Sequence, residues 1–92
     1  MVYIPSIVNI KKTLKIFYEN GEIGNREITY LFGSRSSATI SRLKRLARAE
    51  MIKRGIPSFN ANRVNTAIAY EVWGIDVVDL ENRMKKIKEL SL

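Results

Sequence analysis

From Asn25 to Gly55 the chain reads NREITYLFGSRSSATISRLKRLARAEMIKRG, with apolar residues at helical spacing on both sides of a break. Ile28, Leu31 and Phe32 fall on one side of Gly33, and Ile40, Leu43, Leu46 and Ala47 on the other. Residues so spaced share one face of an α-helix, and each face has to be buried. The spacing predicts a short helix capped by Asn25 and stopped by Gly33, then a longer one capped by Ser34 and running to about Met51. The outer sector of the longer helix begins with Ser37, Ala38 and Ser41 and continues with Arg45 and Arg48. Arg42 and Lys44 lie on its flanks.

Charge is distributed unevenly. The net charge is +7 over 92 residues, and residues 35–66 alone hold eight Arg or Lys against the single acid Glu50. The segments before and after nearly balance. An excess so localised points to a face for a polyanion, whereas an even spread would only aid solubility.

The remaining elements follow from pattern. Pro5 and Ser6 open a helix with Ile7, Ile10, Leu14 and Phe17 on one face, ended by a left-handed cap at Asn20-Gly21. Glu22-Ile23-Gly24 suits a strand-like link. After Met51 the period turns to alternation, predicting strands at Ile52–Arg54 and Thr66–Trp73, the latter with Ile68, Tyr70 and Val72 on one side. Residues 55–65 form the tip of that antiparallel hairpin, pinned by Phe59. Asp76 caps a last helix whose Val77, Leu80, Met84 and Ile87 form a stripe.

Composition narrows the function classes. With 46% hydrophobic and 27% charged residues, the chain is of the globular kind, in one core-forming unit. It contains neither Cys nor His, which removes disulfides, thiolate nucleophiles, imidazole bases and the usual zinc ligands. The scattered acids form no catalytic constellation, so no enzyme, cofactor or metal is expected. No apolar run reaches the roughly 20 residues of a membrane span, and a cytoplasmic protein, nucleoid-associated or in a host cell, is the expectation.

The order helix, short strand, helix, tight turn, basic helix, hairpin, helix resembles the winged helix-turn-helix domain. It is similar to small prokaryotic and viral regulators of the multiple-antibiotic-resistance or arsenic-repressor type, over roughly residues 5 to 73. The resemblance rests on residues 25–55 as quoted, above all Leu43-Lys44-Arg45-Leu46-Ala47-Arg48-Ala49-Glu50-Met51-Ile52, and on the hairpin that follows. One departure is Glu50, where many such regulators carry a Gly between recognition helix and wing. The resemblance implies a mainly α fold with a small β-hairpin: a three-helix core, a wing and an extra C-terminal helix. Residues 1–75 would form the DNA-binding domain and 76–92 an amphipathic dimerisation helix.

Roles follow from that placement. A recognition helix over about 34–50 would enter the major groove of double-stranded DNA, its N-terminal part nearest the base edges. Ser36, Ser37, Ala38, Thr39 and Ser41 are small enough for close approach. Arg35 at the helix start, with Arg42, Lys44, Arg45 and Arg48, would reach phosphates or a guanine edge. In a wing over 53–66, Arg63 would enter the minor groove while Lys53 and Arg54 hold its backbone. Val77, Leu80, Met84 and Ile87 would join two copies into a homodimer on a pseudo-palindromic site, with half-sites about 34 Å apart. The expected function is transcriptional regulation by sequence-specific binding. Alternatives are a plasmid or viral replication or recombination accessory factor, or a module docking on RNA or an acidic protein.

Overall fold

The computed structural model describes residues 4–58 and 60–90. It is mainly helical, with one small antiparallel sheet. Helix α1 spans Ile10–Glu19, strand β1 Glu22–Ile23, helix α2 Asn25–Phe32 and helix α3 Ser37–Lys53. Strand β2, Val64–Asn65, leads directly into helix α4, Thr66–Val72, and helix α5 covers Val77–Leu90.

Helix α1 starts later than the apolar spacing predicts. Asn9 caps it, its side chain accepting from the Lys12 amide at 2.9 Å, while the Pro5 segment before it is not helical and the Val8 amide donates to Leu31 O at 2.9 Å. Pro5–Asn9 therefore serves as a strap whose Ile7 packs on the core. The helix end is not left-handed: Asn20 has φ −130°, and its amide and side chain both return to Ile16 O. Helix α2 is capped at Gly24, not Asn25, with the Glu27 carboxylate accepting from the Gly24 amide at 2.8 Å. Gly33 does stop it, at φ 80°.

The predicted hairpin does not form. Ile52 and Lys53 belong to the last turn of α3, and Thr66–Val72 is a helix. Strand β2 pairs with β1, Ile23 opposite Val64 and Glu22 opposite Asn65, so no strand follows it back. Two backbone features decide this outcome. The Asn65 side chain accepts from the Ile68 amide at 3.0 Å, an N-cap that starts α4. At the far end the Ile75 amide donates to Tyr70 O at 2.8 Å and the Gly74 amide to Glu71 O at 3.2 Å, with Gly74 at φ 74°. That is the Schellman arrangement, in which a left-handed Gly closes a helix. Helix α3 ends in the same way: Ile56 N to Met51 O at 2.9 Å, Gly55 N to Ile52 O at 3.1 Å, Gly55 at φ 69°. The left-handed exit missing at Glu50 is thus taken five residues later.

The core joins α1, the β1–β2 ladder, α2, α3 and α4. Ile23, Ile28, Leu31, Leu43, Ala47, Val64 and Ala69 are fully buried. Two buried hydrogen bonds lock α4 in place, Tyr70 Oη to Thr13 O at 2.7 Å and Trp73 Nε1 to Leu43 O at 2.9 Å. Burial raises the Tyr70 phenol well above its ordinary value, so it stays a protonated donor.

Helix α5 is not a detached appendage. Asp76 caps it as expected, its side chain accepting from the Asp79 amide. It lies along α1, with Leu80 only 5% exposed and Tyr18 donating to Glu81 across the seam. Leu80, expected at a dimer interface, is buried inside the chain, on a concavity it shares with Pro5, Ile7 and Trp73. Ile87 stays exposed toward the outer end. No helix among the described residues is long and apolar enough to cross a membrane.

Candidate nucleic-acid interface

Helix α3 begins where Ser36, not Ser34, supplies the cap, its Oγ accepting from the Thr39 amide at 3.2 Å. The turn before it is closed by Arg35, whose Nε donates to Phe32 O at 3.2 Å. Ser36 and Arg35 therefore build the α2–α3 turn. Buried Leu43, Ala47 and Met51 face inward. Ser37, Ala38, Ser41 and Arg45 are exposed on the outer side, with Thr39, Arg42, Lys44 and Arg48 half-buried around them. No acid occurs between Ser37 and Ala49.

The outer face is bordered by the loop leading to β2. Its Asn60–Arg63 turn closes by Arg63 N to Asn60 O at 3.0 Å and Asn62 N to Asn60 Oδ1 at 2.9 Å. Ser41, Lys44, Arg45 and Arg48 of α3 and Ala61 and Asn62 of that turn line one concavity. A neighbouring one joins Lys44 and Asn62 to Asn25 and Arg26 at the start of α2. The Lys44 ammonium donates to Asn25 Oδ1 at 3.0 Å. Partial burial, and secondly the charge of Arg48, hold Lys44 below its ordinary value. Lys44, Arg45 and Arg48, which share the first concavity with no carboxylate in its lining, gain most when an anion arrives.

Two of the expected wing cations are spent elsewhere. The Arg63 guanidinium turns inward, Nη2 donating to Glu22 O and to Glu27 Oε1, each at 3.0 Å. Its own carbonyl accepts from Arg48 Nη2 at 3.0 Å, so Arg48 is partly a strut between α3 and the turn. Arg63 thus fastens the loop to β1 and α2 and does not project toward a groove. Arg54 forms a two-pronged pair with Glu71, at 2.9 and 3.1 Å, and reaches Glu50 at 2.9 Å. Lys53 is exposed at the end of α3. Phe59 lies outside the described residues.

The structure therefore gathers Ser37, Ala38, Ser41, Lys44, Arg45 and Arg48 on one ridge, and leaves Arg54 and Arg63 in internal ion pairs. Asn25, Arg26, Asn60 and Asn62 join the ridge without having been singled out by charge. The signal for Asn60 and Asn62 was the cluster of turn formers at 60–62, which marks a tight turn whatever the flanking strands do. Among the described residues no acidic cluster suited to a metal ion occurs. No protein-family model, curated protein or solved structure matches the chain.

Proposed function

We propose that the protein binds duplex DNA sequence-specifically through α3, acting as a transcriptional regulator. In this reading α2, the Gly33–Ser36 turn and α3 are a helix-turn-helix. The Asn60–Arg63 turn stands where a winged-helix domain carries its hairpin. The observation that carries the proposal is the acid-free outer face of α3, where exposed Ser37, Ala38 and Ser41 precede exposed Arg45, with Lys44 and Arg48 half-buried beside it. A helix with that layout fits a major groove: Ser37, Ala38 and Ser41 approach the bases, and Arg45 and Lys44 meet phosphates.

Pairing of two copies belongs to the same proposal, but through the outer end of α5, Met84 and Ile87, since Leu80 is already buried within the chain. Selection from random duplex DNA, followed by anisotropy on the enriched sequence at fixed salt, tests the whole. Enrichment of a motif that outcompetes scrambled duplex by 10³-fold or more is the expected result. Equal affinity for all duplexes would reduce the protein to a non-specific binder, and preference for RNA or for an acidic polypeptide would move it to another class.

A further inference from the structure

A groove of about 500 Å³ between α1 and α2 lies outside the α3 ridge. Its walls carry Lys12, Lys15, Arg26 and Tyr30, together with Glu19 and Glu27. Tyr30 is 42% exposed and sits between two cations, Lys12 Nζ at 5.5 Å and Arg26 Cζ at 5.8 Å from the ring centroid. Arg26 Nε also donates to the Tyr30 hydroxyl at 3.1 Å. A ring orders a cation without neutralising it, so these charges remain available to a ligand. Of the two acids, Glu27 is already engaged by Arg63 at 3.0 Å. Three cations then face the carboxylate of Glu19 and that of Glu27, the latter shared with Arg63.

The groove is continuous with the ridge. Arg26, and beside it the Arg63-paired Glu27, line both this groove and the concavity that contains Lys44, Asn25 and Asn62. A basic track therefore runs from Arg45 and Lys44 over the start of α2 to Lys12 and Lys15 on α1. Ile16 is the groove's one aliphatic wall residue, which disfavours a protein partner, whose interface core needs apolar anchors. Phosphates, spaced along a backbone and indifferent to sequence, suit cations strung out in this way.

We propose that the Lys12–Tyr30–Arg26 groove holds the sugar-phosphate backbone of the same duplex, beyond the segment met by α3. This rests on the duplex-binding reading. Lys12, Lys15 and Arg26 set affinity and site length and leave the choice of sequence to α3.

The test uses the full chain, two duplexes and one variant. One duplex is the selected motif alone, and the other carries about ten extra base pairs on each side, a helical turn. The variant is Lys12→Gln, Lys15→Gln and Arg26→Gln together, at three exposed positions whose side-chain stems Gln largely preserves. Wild type is expected to bind the flanked duplex about tenfold more tightly, and the variant to lose that gain. Its salt slope should be shallower by two to three units, at about 0.9 per phosphate contact. The ranking of different motifs should not change. A variant that keeps the preference for flanks overturns the proposal, as does one that weakens equally on both duplexes. Loss of binding to a polyglutamate peptide, with duplex binding intact, would assign the groove to an acidic partner and likewise overturn it. Wild type that binds neither duplex would instead overturn the reading of α3, and this one with it.

Discussion

Trp73 Nε1 donates to the backbone carbonyl of Leu43 across 2.9 Å, inside the core. The bond ties the end of α4 to the middle of α3, directly beneath the turn that presents Ser41 and Arg45. The proposed reading surface thus rests on a helix that charge and periodicity alone do not reveal.

Trp73→Phe removes that donor and thins the edge-on contact with Phe32, whose ring centroid lies 5.6 Å away. A loss of about 1–3 kcal/mol is expected, because a buried partner loses its bond and a smaller ring fills the space. Urea unfolding followed by circular dichroism measures it, since Trp73 is the only tryptophan. An unchanged midpoint would mean that the bond contributes nothing to holding α3.

Arg45 and Arg54 are expected to behave differently on DNA. Arg45→Ala should lower the salt slope of binding by about one unit. Arg54→Ala should leave the slope alone, because its guanidinium already serves Glu71 and Glu50. A slope that responds to Arg54 and ignores Arg45 would place the duplex on the opposite end of α3.

Glycines discriminate between the two endings proposed for the middle of the chain. Gly74→Ala and Gly55→Ala force an L side chain to φ 74° and 69°, and each should cost about 1 kcal/mol. Gly21 has neither a positive φ nor an atom within 4 Å of a built Cβ, so Gly21→Ala should be neutral or slightly stabilising. Thermal melts rank the three. A stabilising Gly74→Ala would contradict the left-handed closure of α4.

Glu71 reports on the Arg54 pair. Hydrogen bonds from Arg54 first, and its charge second, hold the Glu71 carboxyl below the ordinary 4.5. A carboxyl depressed in the folded state adds stability above its unfolded value, and that stability is lost as pH falls through the lower folded value. Nothing should change near neutrality, and the loss should fall on the acid side of 4.5. Carbon NMR of the Glu71 carboxyl should show a midpoint under 4.5 that rises toward it in Arg54→Ala. A midpoint indifferent to Arg54 would contradict the pairing.

The last helix separates folding from assembly. Leu80→Ala should cost about 2–5 kcal/mol of stability, as a buried Leu does. Ile87→Asp, at a site 49% exposed, should leave stability within about 0.5 kcal/mol. Sedimentation should show it shifted from dimer to monomer. A wild-type chain that sediments as a monomer at high concentration would remove the pairing proposal.

Helix α3 was legible because its two faces differ in chemistry along the whole length: Leu43, Ala47 and Met51 against Ser37, Ser41 and Arg45. Helix α4 was not. Ile68, Tyr70 and Val72 alternate as a strand would, yet buried Ile68, Ala69 and Tyr70 are consecutive, and a seven-residue helix exposing only Ala67 and Glu71 is too short to betray its period. The overlooked signal was local. MIKRGI and YEVWGI share an apolar residue four positions before Gly and an Ile after it, the phrase of a Schellman ending. Reading both would have moved the end of α3 to Lys53 and turned the second strand into a helix. Arg63 misled for a different reason: charge reports where a cation is in the chain, and only the fold shows that Glu27 waits for it.

Amide NMR of the labelled chain, titrated with its selected duplex at near-physiological salt, tests the central claim most directly. Saturable shifts should concentrate at residues 37–48 and 60–62 and leave residues 66–75, in and just after α4, largely unmoved. Shifts confined to α4 and α5, or none that saturate, would contradict α3 as the DNA-reading element.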